Sequence, residues 1–187
     1  GYVMINELFI DVLSKMEKTV EHYQHEVASI RTSRASVNIL DIVKVDYYGS
    51  LTPLKNMAQI SVPEPQQITI QPYDPTSLRT IEKAIIASEL GLNPNNDGNI
   101  IRLTIPTLTD ERRKDLVKLV HNIIEEGRVG IRNIRRDAND QLKKFNKDEG
   151  LSDDNLKRAM EDVQEMTDKH ILQLNELQKK KEAEIYE

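Results

Sequence analysis

Four arginines fall within nine residues of this chain, in Arg128-Val-Gly-Ile-Arg132-Asn-Ile-Arg135-Arg136. The formal net charge of the whole protein is −5, so this local excess runs against the average. Guanidinium groups keep their charge at any physiological pH, and each offers a planar fork of donors that matches a phosphate or a carboxylate. At helical spacing Arg128, Arg132 and Arg135 stand as i, i+4 and i+7 and share one face. Ile124, Ile131, Ala138 and Phe145 recur every seven residues about a quarter turn away, at roughly 100° per residue. One helix thus carries an apolar stripe for its own protein beside a guanidinium stripe for an anion. The chemistry on offer is phosphate binding.

Signals for other chemistry are weak. No glycine-rich phosphate loop, HExxH pair or nucleophile elbow occurs. The carboxylates are spread along helix faces rather than paired in an apolar setting, so no enzyme is expected. The chain has no cysteine, which excludes a disulfide framework, a thiolate zinc site and a cysteine nucleophile, and suits a reducing cytoplasm. His22 and His25 have i, i+3 spacing, which can suit a metal, but no third ligand follows and a solvated face is the simpler reading. His170 falls on an apolar seam and reads as a packed or half-exposed histidine. No cofactor is expected. No apolar run approaches the ~20 residues of a membrane span, so no membrane partner is expected either. The N-terminus lacks the basic-then-apolar layout of a signal peptide, and Gly1-Tyr2-Val3 ahead of Met4 reads as appended sequence.

The charge is localised. Residues 111–147 hold 11 Lys/Arg against 6 Asp/Glu, whereas residues 148–187 hold 6 against 12 and residues 1–110 hold 9 against 13. An acidic protein with one basic helix implies a confined anion-binding face rather than a general affinity for polyanions.

Three long amphipathic helices must position that face. The first runs to about residue 31 through Ile5, Leu8, Val12, Met16, Val20, Tyr23, Val27 and Ile30. The second opens after Thr109, a possible cap, with Asp110 and Glu111 at its positive end. It continues through Val117, Val120, Ile124, Ile131, Ile134, Ala138 and Phe145 to about Lys147. Gly127 and Gly130 interrupt its composition and are read as points of close packing. The third is capped by Ser152 and carries Leu156, Met160, Val163, Leu174, Leu177 and Ile185. Three such stripes have each other to bury against, which gives an antiparallel three-helix bundle.

Residues 34–106 follow another pattern. Ile42–Tyr48, Gln67–Ile70 and Ile100–Ile105 are β-branched and alternating, and all seven prolines lie here or at its edge. Asp74-Pro75 starts one helix, with Leu78, Ile81, Ile85 and Leu90 on its apolar side and Gly91 as its stop. Of the adjacent Tyr47 and Tyr48, alternation on a strand predicts one buried and one at the surface, where it could stack on a base. The expected fold class is therefore α+β: a discontinuous bundle of residues 1–33 and 107–187, with a small β/α/β domain of residues 34–106 inserted in it. Two tethers, near 31–34 and 105–107, make Thr32, Ser33, Arg34, Ile105, Pro106 and Thr107 hinge candidates.

Several segments resemble the ribosome recycling factor family. They are Ile30-Arg-Thr-Ser-Arg-Ala-Ser36, Tyr47-Tyr-Gly49 with Thr52-Pro-Leu54, Glu82-Lys-Ala-Ile85 with Leu90-Gly-Leu-Asn-Pro-Asn95, Leu108–Leu116, and Arg128–Asp140. They occur in the family's order and cover nearly the whole chain from Met4. The resemblance implies an L-shaped, roughly transfer-RNA-sized monomer of bacteria or organelles. It implies that the bundle lies against large-subunit ribosomal RNA near the peptidyl-transferase centre, and that elongation factor G is a partner. Arg31, Arg34, Arg113, Arg128, Arg132, Arg135 and Arg136 match the family's motif arginines and are the expected rRNA contacts. Ser33 stands where the family's Arg-Thr-Gly-Arg motif has glycine, which is expected to stiffen that tether.

From spacing alone, a solvated helix face explains the arginine stripe as well as RNA contact does, since an exposed pair such as Arg136 and Asp140 contributes only tenths of a kcal/mol. Arg31 and Arg34 could simply hold helix-terminal carbonyls. The surrounding motif favours RNA. A coiled-coil scaffold would share the long helices but needs no arginines beside its seam and would dimerise through it. An enzyme would need a concave pocket with titratable groups.

Overall fold

The apolar spacing of the three long segments is realised as three long helices in the computed structural model, which describes residues 2–32 and 35–187. Ser33 and Arg34, an expected hinge pair that includes one of the expected RNA contacts, lie outside the described residues. The chain forms two compact units: Gly1–Arg31 with Asp110–Glu187, and Thr32–Thr109.

The first unit is the bundle of α1 (Tyr2–Ala28), α3 (Asp110–Asp148) and α4 (Asp153–Ile185). At 1.5 Å per residue, α3 is about 58 Å long. Its first turn carries Asp110 and Glu111, carboxylates that complement the positive helix end. Ser152 caps α4, its hydroxyl accepting from the Asn155 N–H at 3.2 Å. Between them Gly150, at φ +76°, reverses the chain, and the N–H groups of Glu149 and Leu151 both donate to the Phe145 carbonyl. The turn makes α3 and α4 antiparallel, and α1 packs against both. Helix α1 stops three residues short of the expected end, with Ser29 and Ile30 closing its last turn.

The core of this unit combines Leu8, Val12, Met16 and Val27 of α1 with Leu116, Val120, Ile124, Ile131, Ala138 and Leu142 of α3 and Val163, His170, Leu174 and Ile185 of α4. The expected stripe on α3 needs correcting. Val117, Ile134 and Phe145 are only half-buried, while Leu116 and Leu142 are buried. A helix flanked by two neighbours buries a broader and slightly rotated arc than a strict seven-residue repeat marks. His170 is buried, with Nδ1 2.6 Å from the Met166 carbonyl. Helix α3 runs unbroken through Gly127 and Gly130. A Cβ on Gly127 would lie 3.0 Å from the Tyr23 ring and 3.1 Å from Leu174, so glycine there lets α1 and α4 come close to α3.

The second unit holds a hairpin of β1 (Lys44–Tyr47) and β2 (Ser50–Pro53) and an antiparallel sheet in the order β3 (Ala58–Glu64), β4 (Gln67–Pro72), β6 (Ile101–Thr104), β5 (Pro94–Asn96). Val43, Val45, Leu54, Ile68, Ile70, Ile101, Leu103 and Ile105 form its core with Ile81 and Ile85 of α2 (Leu78–Ala87). Pro63 and Pro94 fall in the two edge strands, where a missing N–H costs no ladder bond. Asp74 caps the turn that leads into α2, accepting from the Thr76 N–H at 3.0 Å. Gly91, expected to stop α2, lies beyond its end: Ser88 closes the helix, and Glu89 and Gly91 both take positive φ. Asp97 locks the turn between β5 and β6. Its carboxyl is held down to about 2 by the Ile100 and Asn99 N–H groups and by Arg102 at 2.9 Å.

The two adjacent tyrosines also depart from expectation. Tyr48 is not in the strand but in the two-residue turn, at φ +52° followed by Gly49 at +84°, the combination that suits a tight hairpin. It is therefore 87% exposed, and Tyr47 also reaches the surface, their rings edge to face at 4.6 Å.

Candidate nucleic-acid interface

Of the arginines of α3, Arg128 and Arg135 reach side chains of α4, and the structure divides the expected contacts into held and free. Arg128 is held. Its Nε donates to Glu125 Oε2 at 2.7 Å, and its Nη1 donates to Asn175 Oδ1 at 2.7 Å and Gln178 Oε1 at 3.1 Å on α4. Only 12% of its side chain is exposed, so it clamps two helices together before it can offer anything to a ligand. Arg113 is also drawn in, 19% exposed, with Nη1 on Asp110 at 2.9 Å and its buried Nε without a partner among the described residues.

Arg132, Arg135 and Arg136 are the free members. Arg132 is 38% exposed, and its Nη1 lies 3.5 Å from Glu125 Oε1, at the limit of a hydrogen bond. The Nη1 of Arg135 reaches Gln164 Oε1 at 3.4 Å, and that of Arg136 reaches Asn133 Oδ1 at 3.4 Å on the exposed side. The contacts of Arg135 and Arg136 go to neutral amide oxygens and are given up at small cost, while Arg132, beside the Glu125 charge, keeps its Nε–Nη2 edge for an incoming anion. Arg31 is exposed just beyond α1, in the same unit. Arg34 lies outside the described residues.

Glu125 is the participant that sequence reading missed. The hydrogen bond from Arg128, followed by the charges of Arg128 and Arg132, holds its carboxyl below the usual glutamate range and sets a negative charge inside a cationic stripe. The signal was available, because Glu125 precedes Arg128 by three and Arg132 by seven and must share their face. No such signal existed for Asn175 and Gln178, which meet Arg128 only through the register of α4.

Elsewhere the surface offers little chemistry. His22 and His25 face Glu26 and Glu21 at 4.0 and 3.9 Å on exposed turns of α1. No group of three or more metal-ligating side chains forms among the described residues. No helix among them is long and apolar enough to cross a membrane.

The chain as a whole has clear relatives. The family model described as ribosome recycling factor matches residues 23–186. A ribosome-recycling factor of Alkaliphilus metalliredigens is 56% identical over 173 residues, which cover 92% of this chain and 94% of that protein. One from Bacillus thuringiensis is 52% identical over the same coverage. Among solved structures, the solution structure of a ribosome recycling factor matches with a TM-score of 0.72 at 47% identity, over 97% of each chain. A second, with a TM-score of 0.62 at 46% identity, is the T. thermophilus ribosome recycling factor in models with E. coli elongation factor G on the E. coli post-termination complex; that match covers 97% of this chain and 98% of that one. With the helical bundle, the inserted sheet unit and the arginine stripe all in hand, and relatives this similar along nearly its entire length, the chain belongs to the ribosome recycling factor family.

Proposed function

We propose that this protein is a translation factor, not an enzyme, that binds the post-termination ribosome and, with elongation factor G and GTP, splits it into subunits for another round of synthesis. The observation that carries this reading is the family match along residues 23–186, which spans the whole arginine stripe. The geometry supports it: Arg132 and Arg135 share one face of a 39-residue helix that two other helices stiffen, and Arg136 stands on its exposed side. Arg132, Arg135 and Arg136 bind phosphates of large-subunit rRNA near the peptidyl-transferase centre, and Arg31 and Arg34 add contacts beyond α1. Arg128 and Arg113 act chiefly by fixing the helix that carries the others. The factor works as a monomer in the cytoplasm.

The decisive experiment measures subunit splitting of post-termination ribosomes by the protein, with and without elongation factor G and GTP. Splitting that needs all three components supports the reading, and no splitting under any combination refutes it. Salt supplies a second measure. Phosphate contacts release counterions, so large-subunit affinity should fall with added salt, and Arg135→Ala should lower the log–log slope by roughly one. An affinity indifferent to salt in both proteins is incompatible with phosphate binding.

In the same reading, the bundle and the sheet unit move as separate bodies joined by two tethers. Residues 105–107 are themselves anchored to the sheet. Ile105 is buried there and donates its N–H to the Gln66 carbonyl, and the Thr107 hydroxyl reaches the Gln66 side chain at 3.4 Å. The hinge in this reading falls at the two tethers, near 31–34 and 105–107, the second of which is held to the sheet unit through Gln66. Single-molecule distances between labels on the two units should show several states or a broad distribution in the free protein. One narrow distance, unchanged by Ser33→Gly, contradicts the hinge.

A further inference from the structure

Glu125 turns both carboxylate oxygens toward arginines, and the two contacts are unequal. On one side Oε2 meets Arg128 Nε at 2.7 Å, in a pair that Asn175 and Gln178 close off from α4. On the other side Oε1 faces Nη1 of the more exposed Arg132 at 3.5 Å. Arg128 thereby fixes the carboxylate, and the carboxylate in turn occupies one nitrogen of Arg132. A guanidinium engaged through Nη1 still has a complete edge, Nε with Nη2, for a bidentate bond to a phosphate. A phosphate approaching from the Nη1 side meets a fixed negative charge instead.

We propose that Glu125 is a positioning residue for RNA recognition, one that presents the Nε–Nη2 edge of Arg132 and repels phosphates arriving from any other direction. The proposal rests on the rRNA-binding reading above and adds a source of specificity to it. An RNA whose backbone meets that edge keeps the Glu125–Arg132 contact and gains an oriented fork. An RNA that meets the stripe at random must approach against the carboxylate. The charge balance makes such a device useful, because a helix segment with 11 basic residues against 6 acidic ones would otherwise attract any polyanion.

The test compares affinities for purified large ribosomal subunits and for a 20-base-pair RNA duplex of unrelated sequence, at several salt concentrations. Glu125→Gln keeps an acceptor for Arg128 Nε but removes the charge. It should bind the duplex about threefold to tenfold more tightly and the subunit no more tightly than the parent, so the ratio falls. Arg132→Lys, which leaves Glu125 in place, keeps the cation and loses the planar edge. It should bind the subunit about tenfold more weakly and the duplex nearly as well, and it remains informative even if the glutamine variant fails to fold. Melting temperature is recorded throughout. A ratio unchanged in Glu125→Gln overturns the proposal, as does a parallel loss of both affinities together with thermal stability, which would make Glu125 a structural partner of Arg128 alone. Equal behaviour of Arg132→Lys and the parent overturns it as well. If the parent itself does not bind large subunits, the rRNA-binding reading falls and takes this one with it; if the parent binds and only the ratio fails to move, Glu125 alone is misassigned.

Discussion

Arg132→Ala is expected to slow ribosome splitting by about tenfold to a hundredfold while moving the melting temperature hardly at all. The side chain is more than one-third exposed and its one intramolecular partner is distant, so its removal leaves no buried group unpaired. A charge-assisted contact to phosphate, by contrast, contributes about 1.5–3 kcal/mol, and losing it gives a loss of that order in affinity for the bound state. Arg128→Ala should behave differently, although it lies only one turn away on the same face. It removes two hydrogen bonds to α4 and the packing of a largely buried side chain, and should cost about 1–3 kcal/mol of stability. The paired measurement is splitting rate against melting temperature for both variants. If Arg132→Ala melts like Arg128→Ala, the division into held and free arginines is wrong.

That division shows where sequence reasoning stops. The spacing of Arg128, Arg132 and Arg135 places them on one face because an α-helix has a fixed pitch, and the structure agrees. Which of them is covered depends on what α4 sets opposite each, and Asn175 and Gln178 lie 47 and 50 residues further along the chain. Period is a local property of the sequence, whereas register between helices comes from the summed packing of all three. The β unit shows the same limit. Strand β4, central in its sheet with Ile68 and Ile70 buried, alternates clearly and was legible. Strand β3 is an edge strand with one buried residue, β2 has none, and β5 is Pro-Asn-Asn, so none of them leaves a period to read. Tyr48 continued the strand pattern in the sequence, yet Gly49 favoured a tight hairpin turn one residue earlier than alternation suggested, and both rings reached the surface. The anchoring of Ile105 was not legible, because its partner Gln66 is a long-range contact.

The largest effect on stability is expected from Ile131, whose side chain is completely buried in the bundle core, one residue before Arg132. Truncating a fully buried isoleucine removes its transfer free energy and leaves a cavity that close-packed helices fill only in part, so Ile131→Ala should cost about 2–5 kcal/mol. For a protein of this length each kcal/mol lowers the melting temperature by roughly 2–4 °C, which makes the shift easy to resolve. Ile134 lies three residues on, half-buried at the edge of the same packing, and Ile134→Ala should cost well under half as much. The consequence for function follows from stiffness. In the proposed reading Arg132 and Arg135 deliver force to RNA only if α3 holds its place, so Ile131→Ala should reduce splitting most steeply on approaching its lowered melting temperature. Arg132→Ala should reduce splitting uniformly at all temperatures. Melting curves and splitting rates measured over a range of temperatures separate the two. Equal costs for Ile131→Ala and Ile134→Ala would mean that α3 is rotated by roughly 30° from the orientation described, and the guanidinium stripe with it.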